Sequence, residues 1–376
     1  MTLSFIFFRD GRVRAGWRLL IFLVVLIGIS FAISRGVRLT GLRFARTAAE
    51  METQTYRILL LRQFLALPAL FLATYFMTRW IDGRPFRSAG LHLHRTWGRQ
   101  LWFGFWLGSV LISVVFGAIY LGRGFSIEAV VMGGGALVVA LLVNLVFFLM
   151  VGVTEEFLFR GYFLQVLSGG VGFAAAVAIS SLLFGLGHFF GPRQNLLGAV
   201  NAGLVGALFC LMVYRARSLW IPIGAHAGWN FCESWLWSVP DSSYMFPGHL
   251  LKVGIHGPQW LTGGSDGPEG SVVTCLVLVL AAVFVWRARR FEGEPESHEM
   301  WNRFVSAHVG AGLQAAPNRA SPQIGQAEAC PYGIGWLRSG RQNLQGMNPA
   351  FLASSAVENS MRLRGAIFCA QVHAAT

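Results

Sequence analysis

The 376-residue chain is poor in charge: Asp, Glu, Lys and Arg make up 12% of it, half the ~25% of an ordinary soluble domain. A water-soluble body so short of ionic groups could not cover itself with polar side chains. Hydrophobic residues reach 55%, which excludes disorder for most of the chain as well. Lysine is almost missing, since Lys252 is the single lysine among 30 basic residues. Acidic residues number 17, for a net charge of +13. In a soluble protein that balance would point to nucleic acid. Here the arginines stand at the ends of apolar runs, where they anchor helices and meet anionic headgroups, so the expected partner is a lipid bilayer and not nucleic acid. Cysteine is scarce and unpaired. Residues 210, 232, 275, 330 and 369 form no C-x-x-C, and three fall in apolar segments, which argues against a disulfide framework or a thiolate zinc site.

What the chain has is long apolar runs. A spanning helix needs roughly 20 mostly apolar residues, and eight stretches qualify or come close: 17–34, 63–78, 101–121, 136–153 with a helical continuation, 171–190, 196–214, 221–239 and 271–286. The fold class is therefore all-α, a polytopic transmembrane bundle of about eight spans. Arg9, Arg12, Arg14 and Arg18 precede the first run, and no small-residue cleavage site follows it, so it reads as a retained signal anchor. Basic residues number 14 in the segments assigned to the cytoplasm and 9 in the outer loops, which places both termini in the cytoplasm. The loop holding Arg35, Arg38, Arg43, Arg46, Arg57 and Arg62 fits that orientation poorly and suggests an interfacial helix. Residues 291–376 lack a span or a helical period and read as a disordered cytoplasmic tail, or else as a stretch that is not selected protein sequence, such as one read in a shifted frame. The organisation is thus N-terminal spans over 1–130, a polar-bearing core over 131–240, an outer loop and last span over 241–290, and the tail.

Ionisable groups inside spans are costly, so each is a functional hypothesis. They fall in three clusters within the core: Glu155, Glu156 and Arg160; then His188; then His226, Asn230 and Glu233. Glu156 and Arg160 are four apart, share a helix face and can pair. Glu155 is turned about 100° away and lacks that partner, which suits it to taking a proton from water. Phe184 and His188 also share a face, although a lone His near a helix end is more often interfacial than catalytic. His226 and Asn230 share a face too, while Gly224 and Gly228 form a G-x-x-x-G on the opposite side, where a neighbouring helix can approach closely. Pro222 suits that helix's first turn. Trp220, Trp229, Trp235 and Trp237 read as interface anchors and packing residues.

Two chemistries use these groups. In one, Glu155 and His188 hold and deprotonate a water, and His226 with Asn230 donates to the developing oxyanion. In the other, His188, His226 and Glu155 bind a divalent metal such as zinc, which activates the water. The chain has no H-E-x-x-H, and an amide such as Asn230 is a poor zinc ligand, which favours the metal-free form.

The runs Glu155-Glu156-Phe-Leu-Phe-Arg160, Phe184-Gly-Leu-Gly-His188 and His226-Ala-Gly-Trp-Asn230 together resemble the CAAX-protease and bacteriocin-processing (CPBP, or Abi) family of intramembrane endopeptidases. Its marks are E-E-x-x-x-R, F-x-x-x-H and H-x-x-x-N/D on successive core helices. The resemblance covers roughly residues 136–240. It implies Glu155 as the water-activating carboxylate assisted by His188, His226 and Asn230 at the oxyanion, and Glu156, Arg160 and Phe184 in support. The family has been described both as metalloproteases and as glutamate proteases. The resemblance also implies a membrane-associated protein or peptide as substrate. The arginine bias and short loops look bacterial, which implies an inner-membrane location. Competing classes are a non-catalytic membrane binding or bacteriocin-immunity protein using the same polar cavity, and a proton-coupled transporter. No internal repeat supports the last.

Overall fold

The computed structural model describes residues 7–9, 12–41, 56–190 and 195–291. The chain divides into two units, Met1–Ala316 and Pro317–Thr376, and the described residues all belong to the first. The expected tail beyond residue 291, much of the basic loop after the first span, and Cys330 and Cys369 lie outside them.

The apolar runs fold as helices because an apolar environment offers the backbone no outside hydrogen-bond partner. They are α1 (Ala15–Leu39), α2 (Tyr56–Phe76), α3 (Trp97–Leu121), α4 (Gly134–Glu156), α5 (Leu164–Val171), α6 (Phe173–Phe189), α7 (Leu196–Ala216), α8 (Trp220–Phe231) and α9 (Val272–Arg287). All eight expected stretches are helical, and the bundle is a multi-pass membrane protein. Among the described residues, however, five helical stretches are long and apolar enough to cross a membrane: Ala15–Leu39, Leu60–Ile81, Trp97–Leu121, Gly134–Val171 and Leu196–Ala216. Helices α6, α8 and α9 have 17, 12 and 16 residues, so helix length does not confirm the expectation of about eight spans.

Two short ribbons add to the helices. Phe8–Arg9 (β1) pairs with Arg12–Val13 (β2), and Phe125–Val130 (β3) pairs antiparallel with Leu251–Ile255 (β4), with a bulge between Ile127 and Ala129. The second ribbon ties the segment after α3 to the long loop after α8.

Small residues set the centre of the bundle. Gly104 and Gly108 of α3 meet Gly224 and Gly228 of α8 in a reciprocal contact. A Cβ added at Gly104, Gly108, Gly224 or Gly228 would run into the backbone carbonyl of Ile221, Ala225, Leu101 or Phe105 respectively. Ser109 Oγ crosses the same seam to Gly228 O at 3.3 Å. On its other side α8 packs on α4, where a Cβ at Gly152 would lie 2.9 Å from Ile223 O. The back face expected for the helix of His226 is thus found, and its partner is α3. Close backbone approach of this kind replaces the hydrophobic drive that lipid does not supply between helices.

Helix α4 does not stop at Glu156. It continues as a π-helical segment, Phe157–Phe163, in which Gly161 takes the non-helical angles φ −76° and ψ −108°, and then resumes as α5. This widening lies directly beside the two glutamates, as π-bulges often do at functional sites. A second anchor lies at the start of α1. Arg18 Nη2 sits 2.5 Å from Asp82 Oδ1, and Arg84 Nη2 lies 3.2 Å from Asp82 Oδ2. Tyr162 of the π segment donates its hydroxyl to Asp82 at 3.4 Å.

Candidate active site

Close packing of α4 against α8 brings the first and third motifs together. Glu156 is fully buried, and its Oε1 accepts two hydrogen bonds: one from Arg160 Nη1 at 3.1 Å, one turn along, and one from His226 Nδ1 at 2.8 Å. A carboxylate only accepts, so the Nδ1 proton of His226 is committed and Nε2 is left toward the cavity. There it faces Glu155 Oε2 at 3.9 Å, too far for a direct hydrogen bond. Glu155 itself is one-third exposed. The adjacent glutamates therefore have different environments, as their angular offset on the helix predicts. Glu156 does more than its expected pairing with Arg160, because it also orients the imidazole.

Arg160 is fully buried and its guanidinium lies in an aromatic cage. Its centre is 4.3 Å from the Phe184 ring and 5.6 Å from those of Phe159 and Phe209. A desolvated cation over a ring face gains roughly 2 kcal/mol, which helps offset the loss of water. Phe184 thus serves the buried cation as well as the histidine one turn on. Gly206 of α7 leaves room for this cage, since a Cβ there would meet Arg160 Nη2 at 3.1 Å.

His188, near the end of α6, donates Nδ1–H to Phe184 O at 2.8 Å, because a carbonyl can only accept. Its Nε2 is then the free basic nitrogen. Asn230 makes no side-chain hydrogen bond among the described residues. Glu155, His188, His226 and Asn230, with Phe184, all line one cavity of about 620 Å³, within the ~300–1,000 Å³ of small-molecule and peptide sites. Apolar side chains make up much of its wall, including Phe147, Phe148, Val151, Phe159 and Phe209. Glu156 and Arg160 sit behind that wall.

Residues 137–232 match the family model of the type II CAAX prenyl endopeptidase Rce1-like proteins. No curated protein matches the chain. The Rce1-like region begins inside α4 and ends one residue past α8, so it contains the three motifs, whose family was expected from their residues. It is similar to an endopeptidase region and covers no part of α1–α3 or α9.

The cavity is also lined by groups that sequence reading did not single out. Asp241, Asp266 and Glu269 come from the long loop after α8 and line the same cavity. Burial and the neighbouring Glu269 push Asp266 up to about 6, against partial relief from Ser243 and the Asn195 backbone. Burial and Glu269 also raise Asp241 well above the usual carboxylate range. Their only signal in the sequence is the placing of acids in a loop that contains one base, Lys252. Of the tryptophans, Trp229 and Trp235 are buried, and Trp220, Trp229 and Trp237 donate to His92 O, Glu269 Oε1 and Ser113 Oγ at 2.9, 3.1 and 2.9 Å.

Of the residues expected to hold a metal, His226 Nε2 and Glu155 Oε2 lie 3.9 Å apart. Tetrahedral zinc with ligands at about 2.0–2.2 Å needs its donor atoms roughly 3.4 Å apart. Among the described residues, the one group whose donors all lie within 4.8 Å of one another is Glu233, Asp241 and Glu269.

Proposed function

We propose that the chain is an intramembrane endopeptidase, with residues 131–240 as its catalytic core, in which Glu155 and His188 activate a water. The observation that carries this reading is that Glu155 from α4, His188 from α6, and His226 and Asn230 from α8 all open onto one cavity. The cage around Arg160 and the double hydrogen bond to Glu156 have a ready explanation on this reading: they hold the imidazole in place.

In this scheme the water lies between Glu155 and His188 Nε2. Glu155 takes a proton as the water oxygen attacks the carbonyl carbon of the scissile peptide bond. The carbonyl oxygen gains the negative charge and accepts from the Asn230 amide and from His226 Nε2–H, the imidazole carrying a proton on both nitrogens throughout the cycle. Collapse of the intermediate breaks the C–N bond, and Glu155 returns its proton to the leaving amine. A positioned base contributes about 10²–10⁴ in rate and one oxyanion donor about 10²–10³. No step is routed through a metal. The apolar wall suits a membrane-associated protein or peptide whose apolar residues flank the bond. A bacterial inner membrane with both termini in the cytoplasm completes the reading.

The test is to express the wild type and Glu155→Ala at matched, folded levels in one host and compare their membrane peptidomes. Peptides that require Glu155 are expected and would give the cleavage position directly. Cleavage that persists in Glu155→Ala overturns the scheme. A phenotype that survives Glu155→Gln while the peptidomes match would instead support a binding or immunity protein.

A further inference from the structure

The cavity has a second group of ionisable side chains that the scheme above does not use. Glu233 lies on the π turn that closes α8, Cys232–Leu236. Its carboxylate, with those of Asp241 and Glu269 from the following loop, contributes one of three oxygens that lie within 4.8 Å of one another. Two of these carboxylates are fixed by donors. Asp241 Oδ2 accepts from Ser234 Oγ at 3.0 Å. Glu269 Oε1 accepts from Trp229 Nε1 at 3.1 Å, and its Oε2 from Ser242 N at 3.1 Å and Ser242 Oγ at 2.7 Å.

Glu233 differs. It is fully buried, and neither of its oxygens meets a hydrogen-bond donor, since the neighbouring Trp229 N–H is directed to Glu269. A buried carboxyl group beside two others, with no donor on its oxygens, is a place for a proton or for a cation.

We propose that Glu233, Asp241 and Glu269 hold a divalent cation of the calcium class, at a site separate from the Glu155–His226 centre. The donors are all carboxylate oxygens, which suit hard cations and not zinc or copper. An ion equidistant from three oxygens at the 4.8 Å limit would lie about 2.8 Å from each, slightly beyond the ~2.3–2.6 Å of Ca–O bonds and far beyond the ~2.0–2.1 Å of Mg–O. Three carboxylates outweigh a double charge by one, so binding leaves a single negative charge. Asp241 and Glu269 line the cavity, which lets water complete the coordination. The bonds from Ser234, Ser242 and Trp229 are the outer contacts that orient ligating carboxylates. Asp241 also interacts electrostatically with His226 and Glu155, so an ion there would change the field at the cavity's other polar groups. The site does not depend on the chain being a protease.

Trp229 provides the readout. Full-length protein in detergent micelles, stripped with chelator, is titrated with Tb³⁺ while tryptophan is excited. A saturable sensitised emission is expected, displaced by Ca²⁺ at concentrations well below those of Mg²⁺. Glu233→Gln and Asp241→Asn should each weaken Tb³⁺ affinity at least tenfold, and Glu128→Gln, on the exposed ribbon, should leave it unchanged. Absence of a saturable signal, or the same affinity in Glu233→Gln, overturns the proposal and assigns the buried charge to protons. Should the variants fail to fold, the unaltered protein still decides: Ca²⁺ must raise its unfolding temperature, and no rise refutes the site.

Discussion

The seam between α3 and α8 makes a quantitative prediction about two glycines of one helix. A Cβ built on Gly108 lies 2.7 Å from the Ala225 carbonyl carbon, closer still to its oxygen, and 2.9 Å from Trp229 N. The obstacle is backbone, so no rotamer change can relieve it. Helices α3 and α8 would have to part by about 1.5 Å to restore van der Waals contact. Overpacking of this kind typically costs 1–3 kcal/mol, occasionally more, and here should reach about 3 kcal/mol. Gly117, on the same helix, meets nothing within 4 Å, and alanine there should stabilise by roughly 0.5–1 kcal/mol through helix propensity. The expected difference between Gly108→Ala and Gly117→Ala is thus about 4 kcal/mol. Unfolding of both variants in mixed micelles, followed by tryptophan fluorescence, measures it. Equal stability of the two would refute the reading that α8 is held by backbone contact.

The adjacent glutamates should separate in the same assay. Glu156→Gln takes the counter-charge from buried Arg160 and His226 and should cost about 3–5 kcal/mol, whereas Glu155→Gln, one-third exposed with no hydrogen bond to lose, should stay within about 1 kcal/mol. The opposite order would sink the division of roles between them. Asp266 predicts a pH dependence in chelator-containing buffer. Its carboxyl is raised to about 6 when folded, against about 3.9 when unfolded, so the unfolded state loses its proton first. The contribution of Asp266 is full below about pH 4 and declines as pH rises toward 6. Asp266→Asn should flatten that part of the curve of unfolding temperature against pH, and an unaltered slope would contradict the assignment.

Much of the site was legible because its local geometry is helical. Glu156 with Arg160, Phe184 with His188, and His226 with Asn230 each sit one turn apart, and their spacing alone predicts a shared face. Gly224 and Gly228 likewise announce a close partner on the far side from His226. The identity of that partner was not legible, since Gly104 and Gly108 stand more than a hundred residues earlier and carry no mark linking them to α8. The same holds for the bond from His226 Nδ1 to Glu156, which exists only because α4 and α8 pack at Gly152. The count of about eight spans is not confirmed, because α6, α8 and α9 have 17, 12 and 16 residues and apolar runs in the sequence do not mark where a helix ends. The ribbon of β3 and β4, and the acids of the loop after α8, become neighbours of the core only through tertiary folding.

The ion pair of Arg18 with Asp82 bears on how the chain is made. Helix α1 buries only Arg18, Leu19 and Phe22, so the guanidinium is its main polar tie to the rest of the bundle. At a synthesis rate of about 5–20 residues per second, roughly 3–13 s pass between the addition of Arg18 and that of its counter-ion. During that interval α1 can enter the membrane with Arg18 reaching for the headgroups, and it has nothing else to hold. Its docking therefore has to follow insertion of α2, and the order in which the chain is synthesised becomes the order in which this corner of the molecule is assembled.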